Sequence, residues 1–151
     1  MLKIRKAIPS DVSSIAHFQL EMALETESLV LDREILTSGI KAVFESPEKG
    51  SYFIAEMDGI TAGSLLITYE WSDWRCKTIF WIQSVYVLPA FRRQGIYAAL
   101  YNHIRQLAGA QNEVGGIRLY VDKSNLTAQK TYNAIGMNGE HYQVYEWMKD
   151  F

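Results

Sequence analysis

The chain has 151 residues, 48% hydrophobic and 21% charged, with a formal net charge of −2; that length supports one domain with its own core, and that charge argues against nucleic acid, whose binders carry a basic excess. Cys76 is the only cysteine, which excludes an internal disulfide and a thiolate zinc cluster. The opening MLKIRKAIPSD holds no apolar core of the signal-peptide kind and no run reaches membrane-spanning length, so a cytoplasmic enzyme or binding domain without a membrane partner is expected.

Leu2 to Ile8 reads as a first strand, and Pro9-Ser10-Asp11 as a helix start. Val12, Ile15, Ala16, Gln19 and Ala23 then fall on one helical face. A second helix is expected from Asp32 towards Glu45, with Leu36, Ile40, Val43 and Phe44 buried and Pro47 as its stop. Ser51 to Met57 and Ile60 to Tyr69 are strand-like, and Asp58-Gly59 between them is a two-residue hairpin signal. Thr78 to Val87 is another β-rich run, ended by Leu88-Pro89. A helix from Gly95 to about Ala108 aligns Ile96, Leu100, Ile104 and Leu107. A strand (Ile117 to Val121), a helix (Leu126 to Ile135, stopped by Gly136) and a last strand (Tyr142 to Met148) complete the chain. The order predicts an α/β domain, residues 1–151, built on one mixed central sheet flanked by helices.

One stretch carries chemistry. FRRQGIYAALY, Phe91 to Tyr101, sets two arginines and a glycine ahead of an apolar helical run. A helix start offers unpaired N–H groups and the positive end of the dipole, so a bound phosphate is the physical expectation. Neither the dinucleotide fingerprint nor the nucleotide P-loop is present, because both need glycines that this stretch lacks.

A third pattern fits. VYVLPAFRRQGIYAAL resembles the acetyl-CoA signature of the GNAT superfamily of N-acetyltransferases, a strand ending in V-x-P followed by R/Q-x-x-G-x-G/A at a helix start. Arg92 and Gly95 match; Tyr97 departs from the usual Gly or Ala. Downstream, YVDKSNLTAQKTYNAIGM resembles the second signature, with Asn125, Ala128, Tyr132 and Gly136 in order and spacing. The element order is similar to the GNAT topology over essentially the whole chain.

The resemblance implies acetyl-CoA as co-substrate, bound between splayed central strands. Its pyrophosphate would meet the backbone N–H groups from Arg93 through Gln94, Gly95, Ile96 and Tyr97 to Ala98, reinforced by an arginine of the Arg92-Arg93 pair, where Gly95, lacking Cβ, allows close approach. Its peptide-like arm would bond the backbone of Val85, Tyr86 and Val87. Tyr132 stands where family members place the donor to the departing thiolate, and Asn125 and Tyr132 are both expected to bind the cofactor. A phenol with an ordinary pKa near ~10 keeps its proton for that purpose. Tyr97, a bulky ring in the first turn, is expected to turn into the neighbouring core.

The proton acceptor is less determined. Trp81, Gln83 and Ser84 occupy the strand positions where relatives carry a carboxylate, and none is a base. YEWSDWR offers Glu70 and Asp73 interleaved with Trp71 and Trp74, a combination that suits a cationic acceptor, and Glu70 is the candidate catalytic carboxylate. The same stretch also reads as a twisted hairpin loop with packed tryptophans. Glu25 and Glu27, expected after the first helix, form a second acidic group. Taken singly, Asn125 reads as a helix cap, Tyr132 as a core tyrosine, and Arg92 and Arg93 as a solvated pair; the joint spacing favours the site. His17, His103 and His141 share no ligand spacing, so no metal is expected, and Cys76 reads as structural. The reaction implied is direct acetyl transfer to the primary amine of a small cationic acceptor. A protein lysine or N-terminal acetyltransferase and a non-catalytic acyl-CoA-binding module remain alternatives, and a homodimer remains open.

Overall fold

Asp58 and Gly59 adopt positive φ of 51° and 82°, the twist that a two-residue hairpin requires. They join β2 (Ser51–Met57) to β3 (Ile60–Ser72) in an antiparallel pair. β1 (Leu2–Lys6) lies antiparallel on the far side of β2, with Ile4 opposite Ala55. β4 (Lys77–Val87) runs antiparallel to β3. β5 (Val114–Leu119) runs parallel to β4, a pairing that needs a crossover, supplied by α3 (Ile96–Ala110). The result is a mixed five-stranded sheet in the order β1-β2-β3-β4-β5. The structure is a computed structural model that describes residues 1–149.

Alternation along β2 sorts the layers. Tyr52 and Ile54 face α1 (Val12–Glu27) and α2 (Arg33–Glu45), joining Ile15, Ala16 and Ile40 in a buried cluster that Leu36, Val43 and Phe44 border. Phe53, turned the other way, meets His103 of α3 with ring centroids 5.4 Å apart. Ile15, Ile40, Ile54, Leu65, Ile96, Leu100 and Ile104 are fully buried, each worth about 1.5–3 kcal/mol of transfer free energy. Asp32 caps α2 by accepting from the N–H groups of Glu34 and Ile35. The two helical stripes expected from the sequence are therefore the ones that meet the sheet.

The chain divides into two compact units, residues 1–120 and the remainder. The second unit contains α4 (Leu126–Ala134), which opens on Asn125 and ends before Gly136, at φ 91°.

Three expectations are corrected. Tyr142 to Met148 form no strand; their alternation specifies a face but supplies no partner for the backbone, and Tyr142, Val144, Tyr145, Trp147 and Met148 are exposed. Glu25 and Glu27 lie within the last turns of α1, which continues to Ser28 in the left-handed region. Glu70, Trp71 and Ser72 belong to β3 rather than to a loop, so only Asp73, Trp74 and Arg75 of YEWSDWR lie in the turn, which Cys76 completes.

Candidate active site

β4 changes partners midway. Up to Ile82 it pairs with β3 on one side and β5 on the other, and Ile82 opposite Leu119 is the last β5 pair. From Gln83 to Val87 only β3 accompanies it, through Leu66–Gln83, Ser64–Tyr86 and Gly63–Val87. The other edge of Val85, Tyr86 and Val87 thus has no strand beside it among the described residues. An open edge is a template for any peptide-like chain that can add to it.

The change is marked by a bulge. Pairing shifts between Ser64 and Leu66, and Ser84 takes φ 54°, the local departure that re-aims a strand. Gln19 explains itself here. It is buried on the apolar stripe of α1, and its Nε2 donates to the Ser84 carbonyl at 3.2 Å. Gly63, on the β3 side, must be small, because a Cβ there would stand 2.6 Å from the Tyr86 carbonyl oxygen.

Beyond the strand, the chain turns through Pro89–Phe91 into a loop that opens α3. Arg93 and Gly95 both occupy the left-handed region, at φ 63° and 78°. Gly95 is the N-cap, and a Cβ placed on it would find nothing within 4 Å. The first α3 bond runs from Ala99 N–H to the Gly95 carbonyl; the N–H groups of the turn before it have no partner inside the helix. Open space over a helix start is the arrangement that admits an anion. Ile96 is buried, Tyr97 and Ala98 are half-buried, and Gln94 donates its Nε2 to the Ala90 carbonyl at 3.3 Å.

Arg92 is tied down. Its Nε donates to the Val87 carbonyl at 2.9 Å, its Nη2 to Glu25 Oε2 at 2.8 Å, and its guanidinium lies 5.4 Å from the Tyr86 ring centroid. The Tyr86 hydroxyl donates to Glu25 Oε1 at 2.9 Å. Arg92, and after it Tyr86, holds the Glu25 carboxyl below its ordinary pKa. Burial, then Glu25, pushes the Tyr86 phenol up to about 12.

Ahead of the bulge a second group forms. By register Thr68, Glu70, Trp81 and Gln83 share the sheet face that α1 and α2 occupy farther along. Trp81 Nε1 donates to Glu70 Oε1 at 2.7 Å, and Arg118 Nη1 reaches both Glu70 oxygens at 2.8 Å. These donors, Trp81 first, hold the Glu70 carboxyl below its ordinary range. Gln83 donates to Thr68 at 2.6 Å, and the Trp81 and Tyr120 rings stand 5.0 Å apart. Arg118 and Tyr120 were not legible as candidate site residues; the only signal was their place on and just after the strand next to the one that carries the cofactor motif. Asp73 and Cys76 sit in the exposed turn instead.

In the second unit Asn125 Oδ1 accepts from the Ala128 N–H at 3.0 Å, the cap that the sequence allows. Tyr132 is buried, and burial pushes its phenol up to about 12. Among the described residues no cluster of His, Cys, Asp and Glu could hold a metal, and no helix is long and apolar enough to cross a membrane.

The open β4 edge, the left-handed glycine and the helix start fit a ligand with a peptide-like arm and a phosphate. Comparison with known proteins points the same way. Residues 15–137 match the model of the acetyltransferase (GNAT) family. A protein of Archaeoglobus fulgidus named an uncharacterized N-acetyltransferase is 27% identical over 135 residues, spanning 87% of this chain and 89% of that protein. The crystal structure of a possible acetyltransferase from Clostridium difficile 630 superposes with a TM-score of 0.92 at 38% identity, covering 100% of this chain and 99% of that one. AAC(6')-Iy in complex with the bisubstrate analog CoA-S-monomethyl-acetylneamine shares the fold at a TM-score of 0.78 and 15% identity, over 99% of each chain.

Proposed function

From a chain that belongs to the acetyltransferase (GNAT) family, and so is an acyltransferase, we propose direct transfer of an acetyl group from acetyl-CoA to the primary amine of a small cationic acceptor. The proposal takes residues 1–151 as one N-acetyltransferase domain of the cytoplasm, working without a metal or nucleic acid. The observation that carries it is the β4 edge left open beyond Ile82, next to the left-handed Gly95 at the start of α3.

Acetyl-CoA supplies an acyl group already activated as a thioester. The backbone of Val85, Tyr86 and Val87 holds its peptide-like arm by strand-type bonds, and the N–H groups from Arg93 to Ala98 receive its pyrophosphate. A backbone N–H near Val87 polarises the thioester carbonyl as negative charge develops on it. The amine gives up its ammonium proton to water, and its nitrogen then forms the new bond to the carbonyl carbon while the carbon–sulfur bond breaks. The second proton it sheds passes through water and restores the one that Tyr132 donates. Tyr132, whose phenol stays protonated at neutral pH, gives its proton to the departing sulfur. No covalent enzyme intermediate is needed.

Glu70 contributes to the acceptor side a carboxylate that is paired with Arg118 and meets the N–H edge of Trp81, beside the Trp81–Tyr120 ring pair. Its oxygens already accept from Trp81 and Arg118, which favours an electrostatic role over proton abstraction. CoA release from acetyl-CoA, measured across a panel of polyamines, amino acids, aminated sugars and lysine peptides, tests the reading. Turnover with small amines supports it; turnover with peptides alone moves the activity to a protein acetyltransferase.

A further inference from the structure

The arginine at the head of the cofactor loop is committed to the protein. Arg92 spends its Nε on a backbone carbonyl, its Nη2 on Glu25, and the face of its guanidinium on Tyr86. The three partners come from two pieces of the site. Val87 and Tyr86 belong to the open β4 edge, Glu25 to the last turns of α1, and Arg92 leads directly into the left-handed Arg93 and Gly95. Arg93, by contrast, is exposed and has no ion pair or hydrogen-bonded side-chain partner among the described residues.

We propose that Glu25 is a positioning residue for the cofactor, locking Arg92 as a staple between β4 and the phosphate loop, and that the cation available to the phosphates is Arg93. This rests on the reading of the site as an acetyl-CoA site.

The physical case is one of geometry. Arg93, a non-glycine residue at φ 63°, is strained, and a strained loop keeps one shape only when its surroundings over-determine it. Arg92 supplies that determination, because its planar fork bridges an acceptor on the strand and a carboxylate on the helix at once. Glu25 is the part of the staple that no backbone provides. It also receives the Tyr86 hydroxyl, so one carboxylate fixes both the strand that carries the arm-binding edge and the loop that carries the phosphate site. A preformed site binds more tightly because less order is imposed on binding. The Val87 carbonyl already accepts from Arg92, and the Tyr86 carbonyl faces Gly63 of β3, so the edge on offer to the cofactor centres on Val85 and the Val87 N–H.

The test is titration calorimetry with acetyl-CoA at two salt concentrations, on the parent and on Glu25→Gln, Arg92→Gln, Arg92→Lys, Arg93→Gln and the Glu25→Gln/Arg92→Gln double variant. Glu25→Gln and Arg92→Gln should each weaken binding about 10-fold, equivalent to about 1.4 kcal/mol, with parental salt dependence. The double variant should be no worse than either single one, since both break one unit. Arg92→Lys should fail to restore affinity, because an ammonium cannot bridge Val87 and Glu25 as the fork does. Arg93→Gln should lose part of the salt dependence, as expected for a partly exposed charge facing an anion. Parental or tighter binding by Glu25→Gln, additive losses in the double variant, or full rescue by Lys would overturn the staple and make Arg92 a plain phosphate cation. A parent that does not bind acetyl-CoA would remove the site reading and this inference together, so the two failures are distinct.

Discussion

Arg118 Nη1 stands 2.8 Å from both carboxylate oxygens of Glu70, and Trp81 Nε1 completes the group at 2.7 Å from one of them. The three residues sit on β5, β3 and β4, and Trp81 pairs with Arg118 one step before the last β4–β5 pair. The group therefore pins the strands together just where they are about to part. It also fixes how Glu70 can act.

With its folded pKa depressed by Trp81 and Arg118, Glu70 stays ionised as pH falls through the usual carboxylate range near ~4.3. Glu70→Gln is thus expected to raise KM for the acceptor amine several-fold, leave acetyl-CoA affinity unchanged, and remove no limb from the pH–rate profile. Loss of an acid limb in the Gln variant would show that Glu70 takes the proton after all.

Tyr132→Phe keeps the ring and removes the donor. Acetyl-CoA should still bind, while kcat falls by roughly 10²-fold. Because burial raises the folded phenol pKa to about 12, the protonated donor persists as pH rises through ~10, the pKa of a free phenol. The parent should show no alkaline loss attributable to this residue below about pH 10, and an unchanged rate in the Phe variant would assign the proton to another donor. Cys76→Ala, in the exposed turn, should turn over like the parent; abolished activity would indicate a covalent acyl-enzyme.

Asp11 links β1 to the start of α1. It accepts from Arg5 at 2.7 and 2.9 Å and from the Ile8 N–H at 2.8 Å, and Arg5 holds its pKa below the ordinary value. A depressed folded pKa means that this stability is fully present above the unfolded pKa near ~3.9 and is lost as pH falls through the folded one. Asp11→Asn should cost about 1.5–3 kcal/mol at neutral pH, because a half-buried arginine loses one of its two carboxylate partners. Glu56 remains bonded to Arg5 at 2.6 Å, which limits the loss. Chemical denaturation measures it, and a change below about 0.5 kcal/mol would mean that Glu56 alone suffices.

Periodicity found α1, α2 and α3 because each buries one stripe against one sheet face; Ile15, Ile40, Leu100 and Ile104 all lie on the stripes that the spacing predicts. The hairpin at Asp58-Gly59 was equally plain, since its two residues carry the required backbone chirality. Tyr142 to Met148 misled for a physical reason: alternation describes a half-buried strand, but strand structure also needs a neighbour to bond. The candidate site is legible in the sequence where it is local. Gly95 and Asn125 announce themselves by motif and by cap chemistry. Arg118 and Gln19 could not be found, because they act through tertiary partners, Glu70 and the Ser84 carbonyl, that lie 48 and 65 residues away.

The most direct measurement is calorimetric titration of acetyl-CoA into the parent, Gly95→Ala and Gly95→Glu. A Cβ at Gly95 meets no neighbour, but φ 78° strains any L residue, by about 1–2 kcal/mol; Gly95→Ala therefore reports that strain, and Gly95→Glu adds bulk and negative charge at the helix start. The account predicts binding by the parent, weakened binding by the Ala variant and none by the Glu variant, with all three folded by circular dichroism. Parental affinity in Gly95→Glu, or a parent that does not bind acetyl-CoA, would contradict it.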